Sequence, residues 1–154
     1  MFNIVLLQPE IPQNTGNIAR TCACTNSKLH LVKPFKFKID DKSLKRAGLD
    51  YWDKLEVFVY EDFDDFLIKN KNADMYFIET GTDKLYTDFK YPTQDCYLVF
   101  GQETKGIPKD ILNKYKDKIG TIPMTGGLRS LNLSNCVAIV LYEAIRQNAT
   151  AGGD

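Results

Sequence analysis

Five runs of almost unbroken apolar residues limit what this chain can fold into: FNIVLLQ at 2–8, KLHLV at 28–32, LEVFVY at 55–60, DMYFIE at 74–79 and CYLVF at 96–100. Runs of this kind, without the in-out alternation of a half-exposed sheet, belong to strands covered on both faces. Helical spacing fills the gaps between them, and no hairpin signal as strong as Asn-Gly joins two runs. The pattern predicts an α/β domain with a mostly parallel sheet flanked by helices.

The connections refine that expectation. Pro9 and Pro12 stop the first strand, and a helix follows over 13–25, capped by Asn14 or Thr15, with Ile18, Cys22 and Thr25 inward. Pro34 ends the second strand. The basic, aromatic connection 35–53 is long for a compact domain, which marks it as functional, and Asp40-Asp41 signals a short helix over 42–47. Residues 62–70 read as a helix with Phe63, Phe66 and Leu67 inward, 83–95 have no clear period, and Ile107-Pro108 opens a helix to about Tyr115. A last short strand signal around Ile122 breaks at Pro123 and leads through Gly126-Gly127 and a polar run at 129–135 into an apolar helix. Asn132 or Ser134 caps that helix; Val137, Val140, Leu141, Ala144 and Ile145 recur at helical spacing. Ala138 and Ile139 widen its apolar surface, which predicts burial on more than one side.

With 154 residues and a hydrophobic fraction of 44%, one core is expected, over 1–148, with 149–154 a disordered tail and fraying from Asn148. No apolar run approaches the roughly 20 residues of a membrane helix, and the first residues lack the basic start of a secretory signal. A cytoplasmic location with no membrane partner is the expectation. The four cysteines contain no C-x-x-C pair, and the single histidine, His30, lies in a strand run, so no metal is expected. Lys plus Arg and Asp plus Glu both total 20, yet the basic residues crowd into 28–46, where Lys42 and Arg46 fall, while 56–65 is acidic. One face can therefore meet phosphates, although a solvated face accounts for the charge equally well.

Three polar loops follow apolar strands, at 9–17, 101–106 and 124–135. In a parallel sheet such loops gather at one edge, where they can hold one ligand. Gly101-x-x-x-x-Gly106 is followed by Ile107-Pro108, not Lys and Ser or Thr, so it is no Walker loop; G-x-G-x-x-G and G-x-S-x-G are also absent.

PEIPQNTGNIAR at 9–20, LVFGQETKGIP at 98–108, and IPM at 122–124 followed by RSLNLSNCVA at 129–138 resemble, in order, the three motifs of SPOUT methyltransferases. Within that superfamily the chain is similar to the small enzymes that 2′-O-methylate the wobble nucleotide, cytidine or uridine 34, of certain transfer RNAs. The resemblance implies a C-terminal deep trefoil knot, a homodimer, and S-adenosylmethionine held bent in the knot. Carried over residue by residue, it puts Glu79 or Thr80, Gly101, Ile122, Ser130 and Leu131 around the adenosyl group. Arg20 becomes the leading catalytic candidate. Arginine stays protonated and makes a poor base, so its expected work is to grip a phosphate and polarise the ribose hydroxyl, with Asn14 positioning it. Arg129, Tyr142, Lys42 and Arg46 are candidates for the RNA side, at the anticodon loop. Competing readings are 2′-O-methylation of ribosomal RNA, a catalytically silent RNA-binding dimer of the same fold, and a nucleotide-binding regulatory module.

Overall fold

A computed structural model of the chain describes residues 1–39, 42, 46, 52–128 and 130–149. Its strands are β1 (Asn3–Leu7), β2 (Lys28–Val32), β3 (Val57–Tyr60), β4 (Asp74–Ile78), β5 (Cys96–Phe100) and β6 (Ile119–Gly120). Its helices are α1 (Pro12–Cys24), α2 (Phe63–Lys69), α3 (Lys109–Lys114) and α4 (Leu133–Ala149). All pairings are parallel, and the sheet runs β3-β2-β1-β5-β4-β6.

Alternation along the strands divides the core in two. Ile4 and Leu6 of β1, Leu29 and Leu31 of β2 and Leu98 and Phe100 of β5 pack with Ile18 and Cys22 of α1 and Val137, Val140 and Leu141 of α4. Val5, Leu7, Phe77 and Val99 face the other way, against Phe66 of α2 and Ile111 of α3. Helices on both faces explain why the strand runs are apolar throughout. The chain leaves β5 inside the sheet, adds β6 outside β4, and returns as α4 against β5 and α1.

Several expectations shift. The last strand lies at 119–120 instead of around Ile122, because it is defined by pairing with Phe77 and Ile78 and not by its own apolar length. α1 begins at Pro12, whose lack of an N–H suits the first turn, with Ile11 as N-cap; Asn14 and Thr15 therefore lie inside the helix. α4 runs through Ala149, beyond the expected start of the tail. Asn148 Nδ2 donates to Tyr91 O (2.9 Å), and Gln147 bonds Phe89 O (2.9 Å) and Tyr91 N (3.0 Å), which holds the last turn. Only one side of α4 is fully buried; Ala138 and Ile139 are half-buried and Tyr142 is exposed, because the sheet and α1 cover a single face. Lys42 and Arg46 are helical and exposed; the rest of the expected 42–47 helix, its Asp40-Asp41 signal and Arg129 lie outside the described residues. No described helix is long and apolar enough to cross a membrane.

His30 has a structural role. Asn70 Nδ2 donates to the Tyr60 hydroxyl (3.1 Å), leaving that hydroxyl to donate to His30 Nδ1 (2.8 Å). His30 Nε2–H then donates to Asn3 Oδ1 (2.9 Å), and Asn3 Nδ2 to Cys96 O (3.2 Å). Burial, with a smaller contribution from Lys28, pushes the imidazole from 6.5 down to about 4. Because the folded state favours the neutral ring, the stabilisation is complete above pH 6.5 and is lost as the pH falls to about 4. At about 1.4 kcal/mol per pH unit of that window it is on the order of 3 kcal/mol. Urea unfolding of the wild type and His30→Gln at pH 7 and pH 4 is the check: the gap between them should shrink on acidification.

Candidate functional site

The carboxyl ends of β1 and β5 are neighbours, so the loops that leave them meet. Ile11 offers α1 no side-chain cap. Glu103, from the β5 loop, instead holds the backbone leading into the helix by accepting hydrogen bonds from Glu10 N (2.9 Å) and Ile11 N (3.2 Å), where a carboxylate also suits the helix dipole. Glu10 answers in the opposite direction: its carboxylate accepts from Thr104 N (3.0 Å) and Oγ1 (2.7 Å). Those donors, with Lys105 and Lys36 close by, hold the Glu10 carboxyl below the usual carboxylate range. Gln102 Nε2 adds a bond to Gln8 O (3.3 Å).

On the other side of β5, the chain leaving β4 is fastened to the same loop. Glu79 accepts from Ile107 N (2.7 Å) and Thr80 N (2.9 Å), and its own N–H donates to Gly120 O (3.0 Å). Its side chain is thus a brace for the 101–107 loop. That loop closes on itself, Gly106 N donating to Gln102 O (3.0 Å), so tightly that a Cβ on Gly101 would lie under 3.0 Å from Gly106 and Ile107 backbone atoms. The close approach Gly101 permits is between two parts of one loop. Gly106 adopts φ +69° directly against the Glu79 carboxylate, where a side chain would collide.

α4 supplies the third wall. Asn132 caps it, Oδ1 accepting from Ser134 N (2.9 Å) and from the Ser134 hydroxyl, while Cys136 N donates to Asn132 O (3.1 Å). Asn132 Nδ2 donates to Asn14 Oδ1 (3.1 Å), and Asn14 Nδ2 reaches Glu103 Oε1 at 3.5 Å. With 7% exposure and both ends of its amide engaged, Asn14 joins the first turns of two helices to the β5 loop.

These loops enclose a cleft of about 600 Å³, within the range of small-molecule sites. Glu79, Thr80, Gly101, Ile122, Ser130 and Leu131 all line it, as does Asn14. Ile78, Phe100, Ile122, Met124 and Leu131 make apolar wall, and Lys105 is the cation among the described lining residues. His30 is not in the lining, so Ser130 has no imidazole partner there. With apolar wall beside Glu79, Glu103 and Lys105, the cleft can take a small ligand that is part apolar and part polar or charged. Arg20 is not brought into the lining: it stands on the exposed row of α1 with Gln13, Asn17 and Cys24. Tyr142, Lys42 and Arg46 are exposed elsewhere. Sequence reasoning missed the Glu10–Thr104 and Gln8–Gln102 links, since the adjacency of β1 and β5 that brings them together leaves no mark in the sequence.

Comparison with known proteins agrees with this architecture. The model of the SpoU rRNA Methylase family matches residues 1–142. A Geobacillus stearothermophilus relative is 49% identical over 153 residues, covering 98% of each chain. One from Saccharophagus degradans, named a tRNA (cytidine(34)-2′-O)-methyltransferase, is 44% identical over 153 residues, covering 99% of each chain. A solved structure described as giving insights into the 2-OH methylation of C/U34 on tRNA superposes with a TM-score of 0.92 at 38% identity, covering 97% of each chain.

Proposed function

The chain belongs to the SpoU rRNA Methylase family, and from that premise we propose that it transfers a methyl group to the ribose 2′-hydroxyl of nucleotide 34 in transfer RNA. The observation that carries the reading is the cleft shared by Ile11 and Asn14, by Gly101 to Gly106, and by Met124, Ser130, Leu131 and Asn132, residues drawn from all three motifs. Relatives of nearly identical length named for this reaction support transfer RNA over ribosomal RNA.

S-adenosylmethionine, when bound, supplies an already activated sulfonium methyl. Glu79, Thr80, Gly101, Ile122, Ser130 and Leu131 are the residues proposed to hold it, and the donor suits what is present: apolar wall for the adenine, loop backbone for its edge, and an aqueous side toward Lys105. The protein's remaining task is to place a ribose hydroxyl in line and to stabilise oxygen charge as its proton passes to water or a phosphate oxygen, the methyl leaving the sulfonium as a neutral thioether. Arg20 is assigned that task, gripping the neighbouring phosphate and polarising the hydroxyl. Asn14 positions the first turn of α1 from which Arg20 follows. Arg129, Tyr142, Lys42 and Arg46 are assigned to the anticodon loop.

We read the working unit as a homodimer in the cytoplasm. The half-buried Ala138 and Ile139 and the exposed Tyr142 of α4 support a second copy covering that face. The C-terminal part is read as a deep trefoil knot; in support, α4 hydrogen-bonds Phe89 and Tyr91 of the β4–β5 connection after the chain has paired outside β4.

Titration calorimetry with S-adenosylmethionine, followed by labelled-methyl transfer to total bacterial transfer RNA and mass-spectrometric mapping, tests the reading. The expected label is on the ribose of nucleotide 34, from a protein that sediments as a dimer. Label appearing only in ribosomal RNA, or no label, would overturn the function; full activity from a stable monomer would overturn the dimer.

A further inference from the structure

The strand order places the β2 loop, 33–39, beside the β1 loop at the edge of the sheet that carries the cleft. Within it the side chains alternate: Phe35, Phe37 and Ile39 are half-buried, while Lys36 and Lys38 are exposed. Phe35 packs on the core, and Phe37 stacks on Phe35 with ring centroids 4.9 Å apart. The lysines thus project from an aromatic brace and not from an unsupported loop, which lowers the ordering cost of a contact made there. Across the β1 loop, Lys105 stands on the cleft lining, next to Thr104, whose N–H and hydroxyl hold the Glu10 carboxylate. By strand order the β1 loop, which carries Glu10, runs between the β2 loop and the β5 loop that carries Lys105, and both lysines help to hold the Glu10 carboxyl low.

Resting on the methyl-transfer reading, we infer that Lys36 and Lys105 form a phosphate-contacting pair on either side of Glu10, laying the RNA backbone from the β2 loop to the mouth of the cleft. Glu10, fastened to Thr104, sets a negative charge near both ammonium groups and offsets their mutual repulsion while no RNA is bound. The partner that fits is a sugar-phosphate strand. A nucleobase-only ligand gains nothing from two ammonium groups separated by a carboxylate.

Each phosphate contact releases counterions, so its loss changes the salt dependence of binding and not only the affinity. Equilibrium binding of total bacterial transfer RNA is measured between about 50 and 200 mM salt for the wild type, Lys36→Ala, Lys36→Arg and the Lys36→Ala/Lys105→Ala double variant. Lys116→Ala, an exposed lysine beyond the opposite edge of the sheet, is the control. The slope of log affinity against log salt should become shallower by about 0.7–0.9 for Lys36→Ala, by about twice that for the double variant, and not at all for Lys36→Arg or Lys116→Ala. The affinity gap between wild type and Lys36→Ala then narrows about threefold across that range. S-adenosylmethionine affinity of Lys36→Ala should equal that of the wild type. Unaltered slopes in the two alanine variants, beside normal methyl transfer by the wild type, overturn the inference alone. A wild type that transfers no methyl group removes the functional reading and this inference together.

Discussion

Arg20→Ala is expected to lower methyl transfer to transfer RNA by about two to three orders of magnitude while leaving the dissociation constant of S-adenosylmethionine within about twofold of the wild type. The split follows from position. Arg20 lies outside the cleft lining, on the exposed row of α1, so removing it takes nothing from the cleft proposed to hold the cofactor. Removing a donor aimed at developing oxygen charge characteristically costs a factor of about 10²–10³. Arg20→Lys should recover little, since an ammonium group lacks the planar fork that can hold a phosphate and a hydroxyl together. Single-turnover transfer with saturating cofactor, beside calorimetric cofactor titration, separates the two effects. Wild-type turnover by Arg20→Ala removes the assignment; a parallel loss of cofactor affinity would make Arg20 a structural residue of α1.

The contrast between Arg20 and the cofactor residues also marks how far the sequence was legible. β2 and β5 could be bounded to the residue from apolar runs because both faces of the sheet are covered. β6 could not: it is two residues long and exists through its pairing with β4. The α4 cap, Asn132, was one of two candidates, while the backbone leading into α1 is held by a carboxylate from residue 103, which no local signal announces. That the three motifs meet at one edge follows from a parallel sheet. That β5 lies directly beside β1, so that Glu103 accepts from Glu10 N and Ile11 N while Glu10 accepts from Thr104 across the gap, depends on strand order, which local patterning does not encode. The same limit applies to α4, whose apolar width is legible but not which part of it the sheet leaves uncovered.

Strand order also makes Gly101 the position where one added methyl group should do the most damage to the pocket. Gly101→Ala sets a Cβ against backbone atoms of Gly106 and Ile107, which cannot swing aside as a long side chain could. Relief requires the 101–107 loop to open, and its fastenings lie on three sides: Ile107 N on Glu79, Glu103 on the first turn of α1, and Thr104 on Glu10. Overpacking typically costs about 1–3 kcal/mol, and at about 2–4 °C per kcal/mol for a domain of this size the midpoint should fall by roughly 2–12 °C. The pocket should suffer more than the fold. A wall displaced by about 1 Å is enough to cost on the order of a hundredfold in turnover, and S-adenosylmethionine affinity should drop at least about tenfold. Gly126→Ala supplies the contrast, since a Cβ there meets nothing within 4 Å and should leave thermal midpoint and cofactor affinity unchanged. Thermal unfolding and cofactor titration of the two variants decide the matter: if Gly101→Ala behaves like Gly126→Ala, the loop is not the rigid wall on which the cleft's shape depends.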